Sequence, residues 1–99
     1  MDEIEELAET FKALSDPTRL RLVKLLAEGG GALCVNALAR RLGVTQSAAS
    51  QHLRVLRHAG LVRGERRGTF VHYMLDGEGL EGHKARLQET LGEGFVAVK

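Results

Sequence analysis

Four short or planar polar side chains, Gln46, Ser47, Ser50 and Gln51, stand at positions i, i+1, i+4 and i+5, and Arg54 and Arg57 follow at helical spacing. In a helix this spacing gathers them on one outer face. An exposed helix normally favours Glu and Lys, so Gln and Ser in their place ask for another reason. Amides and hydroxyls can meet the edges of bases, while neighbouring guanidiniums suit phosphates. The chemistry this points to is recognition of a nucleic acid. A second cluster, Arg66, Arg67 and Thr69, sits by a glycine at the turn of an expected hairpin, where a charge pair does nothing for a core and is well placed for phosphates or a minor groove.

Charge along the chain agrees. Between Arg40 and Arg67 seven arginines face the single acid Glu65, whereas the first eleven residues carry five acids and no base. A basic middle between acidic flanks is expected of a polyanion-binding face on a nearly neutral protein, here of formal charge +1. No Gly-rich phosphate loop and no Ser/His/Asp arrangement in recognisable context is present, so neither an enzyme nor a bound cofactor is expected.

These side chains need a scaffold to hold them. Ninety-nine residues, 43% hydrophobic and 27% charged, suit one globular domain spanning 1–99 with an aliphatic core, since aromatics make up 4%. Ile4, Leu7, Ala8, Phe11 and Leu14 predict a helix over 3–14, with an apolar stripe. Ser15-Asp16-Pro17 caps a second, over 17–28, with a stripe of Leu20, Val23, Leu26 and Ala27 widened by Leu22 and Leu25, ended by Gly29-Gly30-Gly31. A third helix over 35–42 stops at Gly43, and Thr45 caps a fourth over 46–59 with Ala49, Leu53 and Leu56 inward. The period then changes: 61–65 and 69–75 predict two strands joined through Arg66-Arg67-Gly68. Asp76-Gly77-Glu78-Gly79 reads as a break, and Leu80, Leu87 and Leu91 outline a weak fifth helix over 80–91, before a loose tail from Gly92. A mainly α fold with a small β-hairpin follows: a winged helix-turn-helix, with 35–59 as the helix-turn-helix and 61–75 as the wing.

The stripes of the first and last helices exceed what so small a core can cover, so a second copy is expected to pair with Leu7, Phe11, Leu80 and Leu87. A dimer would carry two reading helices to successive major grooves. No run of about 20 apolar residues and an acidic opening at Met1-Asp2-Glu3 predict a cytoplasmic protein without membrane contact.

The run from Phe11 to Leu22, Leu33-Cys34-Val35, the segment Gly43-Val44-Thr45-Gln46-Ser47-Ala48-Ala49-Ser50-Gln51-His52-Leu53, and Leu56 with Ala59-Gly60-Leu61-Val62 closely resemble the ArsR/SmtB family of bacterial winged-helix repressors, over about residues 5–91. The resemblance implies a homodimer paired through its first and last helices, an operator of inverted-repeat symmetry, and release from DNA on a signal. It also implies where metal ligands would lie. At the place of the family's Cys-Val-Cys this chain has Cys34-Val35-Asn36, and at the places of the final-helix ligands Gly77, Gly79, Thr90 and Glu93. One thiolate is no soft-metal site, and Glu93 alone could coordinate, so no metal site of those kinds is expected.

Two alternatives stay open. One is a winged-helix module that binds protein. The other is a repressor with a non-standard sensor, built from His72, His83 and nearby acids or from Cys34 as a redox-sensitive thiol; burial of Cys34 as a small apolar residue is the favoured reading, because no second cysteine is there to resolve a sulfenic acid. His52 and His58 lie on the reading helix, as ordinary polar residues.

Overall fold

The computed structural model describes residues 1–29 and 32–92. Helix α1 (Glu3–Leu14) begins with a capping box, in which the Asp2 carboxylate accepts from Glu5 N at 2.8 Å and Asp2 N donates to the Glu5 carboxylate at 3.2 Å. Helix α2 (Pro17–Gly29) opens on proline, and Asp16 Oδ2 accepts from Arg19 N at 3.1 Å, so the Asp16-Pro17 signal does what its residues suggest. Strand β1 (Leu33–Cys34) leads into α3 (Val35–Leu42), closed by Gly43 at φ 67°, whose N–H bonds back to Ala39 and Arg40 carbonyls. Three residues later α4 (Gln46–His58) starts under the Thr45 hydroxyl, which accepts from Ala48 N at 3.0 Å. Strands β2 (Val62–Arg67) and β3 (Phe70–Leu75) and helix α5 (Gly77–Leu91) complete the order.

The core is aliphatic. Leu22, Leu38, Leu53, Leu56, Leu61 and Val62 are fully buried, joined by Ala13 and Leu26. Each buried leucine is worth roughly 1.5–3 kcal/mol of transfer free energy, and the set ties α1, α2, α3 and α4 to the root of the hairpin. That packing makes α4 a fixed rod: Ala49, Leu53 and Leu56 are each 0% exposed on one side, leaving the other side to solvent.

The structure departs from the sequence expectations in four places. The sheet has three antiparallel strands in the order β1-β3-β2, with Cys34 opposite His72 and Glu65 opposite His72 on the other side. Two residues are too few to leave a periodic signal, so β1 went unforeseen. Strand β2 runs through Arg67, so the connection is only Gly68 and Thr69, and Arg66 and Arg67 occupy the strand's last two positions rather than the loop. Helix α5 starts at Gly77, not Leu80: Asp76 Oδ1 accepts from Gly79 N at 3.0 Å, and the glycines that read as a break form the capped first turn.

The fourth departure concerns which stripes lie inward. In α1 the buried residues are Leu7, Thr10 and Ala13, whereas Ile4 and Phe11 are 61% and 44% exposed. Leu7, expected to face a second copy, is consumed by the chain's own packing at 5% exposure. In α2 the inward pair is Leu22 and Leu26, while Leu20 is 50% exposed and Ala27 faces solvent. A hydrophobic stripe on a helix several residues wide does not say which of its edges meets the core. Gly30 and Gly31 of the glycine run lie outside the described residues.

Candidate nucleic-acid interface

Gln46, Ser47, Ser50, Gln51, Arg54 and Arg57 are all exposed on α4. Helix period explains it: the inward triad Ala49, Leu53 and Leu56 leaves them the outer face and its flanks. The turn before α4 is short and conformationally fixed by the left-handed Gly43 and the Thr45 cap, so α3 and α4 hold a set relation to each other.

The hairpin stands beside this face. All of β2 after Val62 is exposed. Strand alternation sends Arg66 to the same side as Gly64 and Val62, and Arg67 to the side of Arg63 and Glu65. The two arginines, taken in sequence as one pair, thus serve opposite faces of the wing. Glu65 lies 3.9 Å from Arg63 and 3.8 Å from Arg67, all three side chains more than half exposed. Exposed pairs of this kind contribute roughly 0.2–1 kcal/mol, which leaves both guanidiniums open to exchange Glu65 for a phosphate. Thr69 sits in the two-residue connection with Gly68, at φ 65°, and is exposed.

Behind α4 the structure holds two polar joints that sequence reasoning missed. Asp16, Arg19 and His52 link the start of α2 to α4: Arg19 Nη1 is 3.3 Å from His52 Nδ1, Arg19 Nε donates to the Ala13 carbonyl at 2.6 Å, and His52 Nδ1 lies 3.9 Å from Asp16 Oδ2. The Arg19 backbone N–H, ahead of the charges of His52 and Arg19, holds the Asp16 carboxyl below its ordinary value, against an opposing contribution from partial burial.

The second joint centres on His83. Its Nε2 lies 2.6 Å from the carbonyl of Ala59, the C-cap of α4; a carbonyl only accepts, so Nε2 carries the proton. Nδ1 is 2.9 Å from Thr10 Oγ1 and 3.3 Å from Arg86 Nη1, both able to donate to it. Arg86 in turn pairs with Glu6 at 3.0 Å. One imidazole therefore connects α1, α5 and the end of α4. The signal in sequence was Thr10, a polar residue amid α1's apolar positions.

Cys34 is half-buried and free, across from His72, whose Nδ1 is buried without a partner. Among the described residues no group of three His, Cys, Asp or Glu side chains is arranged to hold a metal ion. His72 and His83 lie on different elements with different neighbours, and Glu93 lies outside the described residues. On the remaining surfaces, Phe11 and Ile4 of α1 are exposed, Leu80 and Leu87 of α5 are half-buried, with Leu80 against the core, and Leu91 is 47% exposed.

Two short helices joined by a glycine turn, with a basic hairpin beside the second, define a winged helix-turn-helix DNA-binding protein. The chain belongs to the arsR family of bacterial regulatory proteins, whose family model matches residues 16–63. It is 43% identical over 75 residues to an HTH-type transcriptional regulator of Methanocaldococcus jannaschii, covering 76% of this chain and 83% of that one. With a transcriptional repressor SmtB homolog of Synechocystis sp. it shares 45% identity over 75 residues, 76% of this chain and 55% of the relative. Among solved structures it is similar to the homodimeric winged helix-turn-helix DNA-binding domain of a possible ArsR-family transcriptional regulator from Mycobacterium bovis, with a TM-score of 0.72, 33% identity and coverage of 93% of this chain and 83% of that one. The chain is accordingly a DNA-binding transcriptional regulator and not an enzyme. Among the described residues no helix is long and apolar enough to cross a membrane.

Proposed function

We propose that this protein is a cytoplasmic homodimeric repressor that reads an operator of inverted-repeat symmetry through the N-terminal half of α4 and leaves it on a signal. Residues 1–99 act as one DNA-binding unit, with α1 and α5 pairing two copies through Phe11, Leu80 and Leu87, joined by Ile4 and Leu91 in place of the buried Leu7. Gln46, Ser47, Ser50 and Gln51 read bases, whereas Arg54, Arg57, Arg66, Arg67 and Thr69 hold the sugar-phosphate backbone. The observation that carries this reading is the outer face of α4, where amides and hydroxyls stand exposed on a helix held to the core by the buried Ala49, Leu53 and Leu56. The names of the repressor and homodimeric relatives support it.

The test compares a duplex selected by the protein from a random pool with a scrambled duplex at fixed salt. Gln46→Ala, Ser50→Ala and Gln51→Ala lower the ratio of the two affinities, the glutamines by about 1–3 kcal/mol where the contact is bidentate. Arg54→Ala weakens both duplexes alike. Unchanged ratios in the first three variants would remove α4 as the reading helix and favour a module that binds protein.

A further inference from the structure

Between α4 and the sheet runs a cleft of about 370 Å³ lined by Ser47, Ser50, Gln51, Arg54, Arg57 and Tyr73. Every one of these side chains can donate a hydrogen bond, two are cationic, and none is acidic. Tyr73 was not among the residues the sequence singled out. It lies on the sheet face that packs on the core, beside Leu33 and opposite Gly64, and its ring rests on the space that glycine leaves: a Cβ at Gly64 would stand 3.2 Å from Tyr73 Cε1 and 3.0 Å from Val71 Cγ1. The ring body thus packs on protein while the residue also borders the polar cleft, the usual division of labour of a tyrosine.

We propose that this cleft seats one backbone phosphate of the bound DNA, with Tyr73 and Arg57 as its donors; the proposal rests on the DNA-binding reading above. The reasoning is one of reach. Ser47 and Arg57 are ten residues apart on α4, about 15 Å along the axis, against a major groove about 8.5 Å deep. When the N-terminal half of α4 is at the bases, the Arg57 end of the cleft stands at the groove's rim, where the sugar-phosphate strand passes. An anion there meets one guanidinium fork from the helix and one phenol from the sheet, which fixes the helix and the wing root to the same phosphate. Tyr73 is then a positioning residue that sets register without reading sequence.

The experiment uses the full chain, a duplex selected from a random pool and its scrambled counterpart. Tyr73→Phe keeps the ring and removes only the hydroxyl. It should bind both duplexes roughly ten- to a hundredfold more weakly, the range of one hydrogen bond to a charged group, with their ratio unchanged. Replacing phosphates singly by methylphosphonate should identify one per half-site whose neutralisation weakens wild type more than it weakens Tyr73→Phe or Arg57→Gln, each of which has already lost one of the two donors. Full affinity in Tyr73→Phe, a changed ratio, or no such phosphate would overturn the proposal. If Gln51→Ala still lost selectivity in that case, the reading helix would stand and only the cleft would fall; if wild type bound no duplex, both would fall.

Discussion

Helices α4 and α5 are of similar length, 13 and 15 residues, and are held in opposite ways. The chain buries a full side of α4, with Ala49, Leu53 and Leu56 each 0% exposed, whereas α5 has no buried residue at all. What holds α5 within the protomer is largely polar or steric: His83 on Thr10 and Ala59, Arg86 on Glu6, and Gly79, where any Cβ would collide with the Gly60 carbonyl oxygen. Its leucines are only half covered or exposed. In the proposed function the helix that reads is thus the one completed by its own chain, and the one left unfinished is the one that pairs with a second copy.

The sharpest way to break this contrast is to empty the core side of α4. Leu53→Ala should cost about 2–5 kcal/mol in denaturant unfolding, since the void has no route to solvent, while Leu87→Ala, measured dilute enough to keep the protein monomeric, should cost only about 1 kcal/mol. Equal losses would mean that α5 is finished within the protomer after all. Phe11→Glu places a charge on the exposed edge of α1. Sedimentation should then give a mass near 10.8 kDa, with unfolding of the monomer little changed and operator affinity down roughly tenfold or more as two linked sites become one. A variant that remained dimeric would move the pairing surface elsewhere. Smallest in free energy is the wing, where Arg66→Ala with Arg67→Ala should weaken binding to every sequence and lower the salt slope by about two, one per phosphate contact. Because the two side chains leave opposite faces of β2, single variants showing that only Arg66 matters would sharpen the assignment to the face shared with Tyr73.

The helix-turn-helix was legible in the sequence because its signals are local. Gly43 and Thr45 mark a turn by backbone geometry, and the spacing of Ala49, Leu53 and Leu56 fixes a helix side without knowledge of the rest. What stayed hidden depends on partners distant in sequence. Strand β1 exists only by pairing with β3, and Gly77 and Gly79 start a helix only because Asp76 caps it and Gly60 stands against it. Leu7 and Phe11 look equivalent on a helical projection, and only the position of the other helices buries one and exposes the other. Tyr73 escaped for a similar reason, since a strand tyrosine next to core leucines reads as core until a cleft opens beside it.

The grip of His83 on the Ala59 carbonyl bears on the DNA as much as on the protein. Since that ring, carried by α5, also meets Thr10 of α1, the proposed pairing would reference the direction of each reading helix to the surfaces that face the second copy. In the proposed pair the distance and tilt of the two reading helices form a rigid gauge, and the duplex is the softer body that conforms to it. Base pairs in the middle of the operator, beyond the reach of any side chain, then count through how readily they twist and bend.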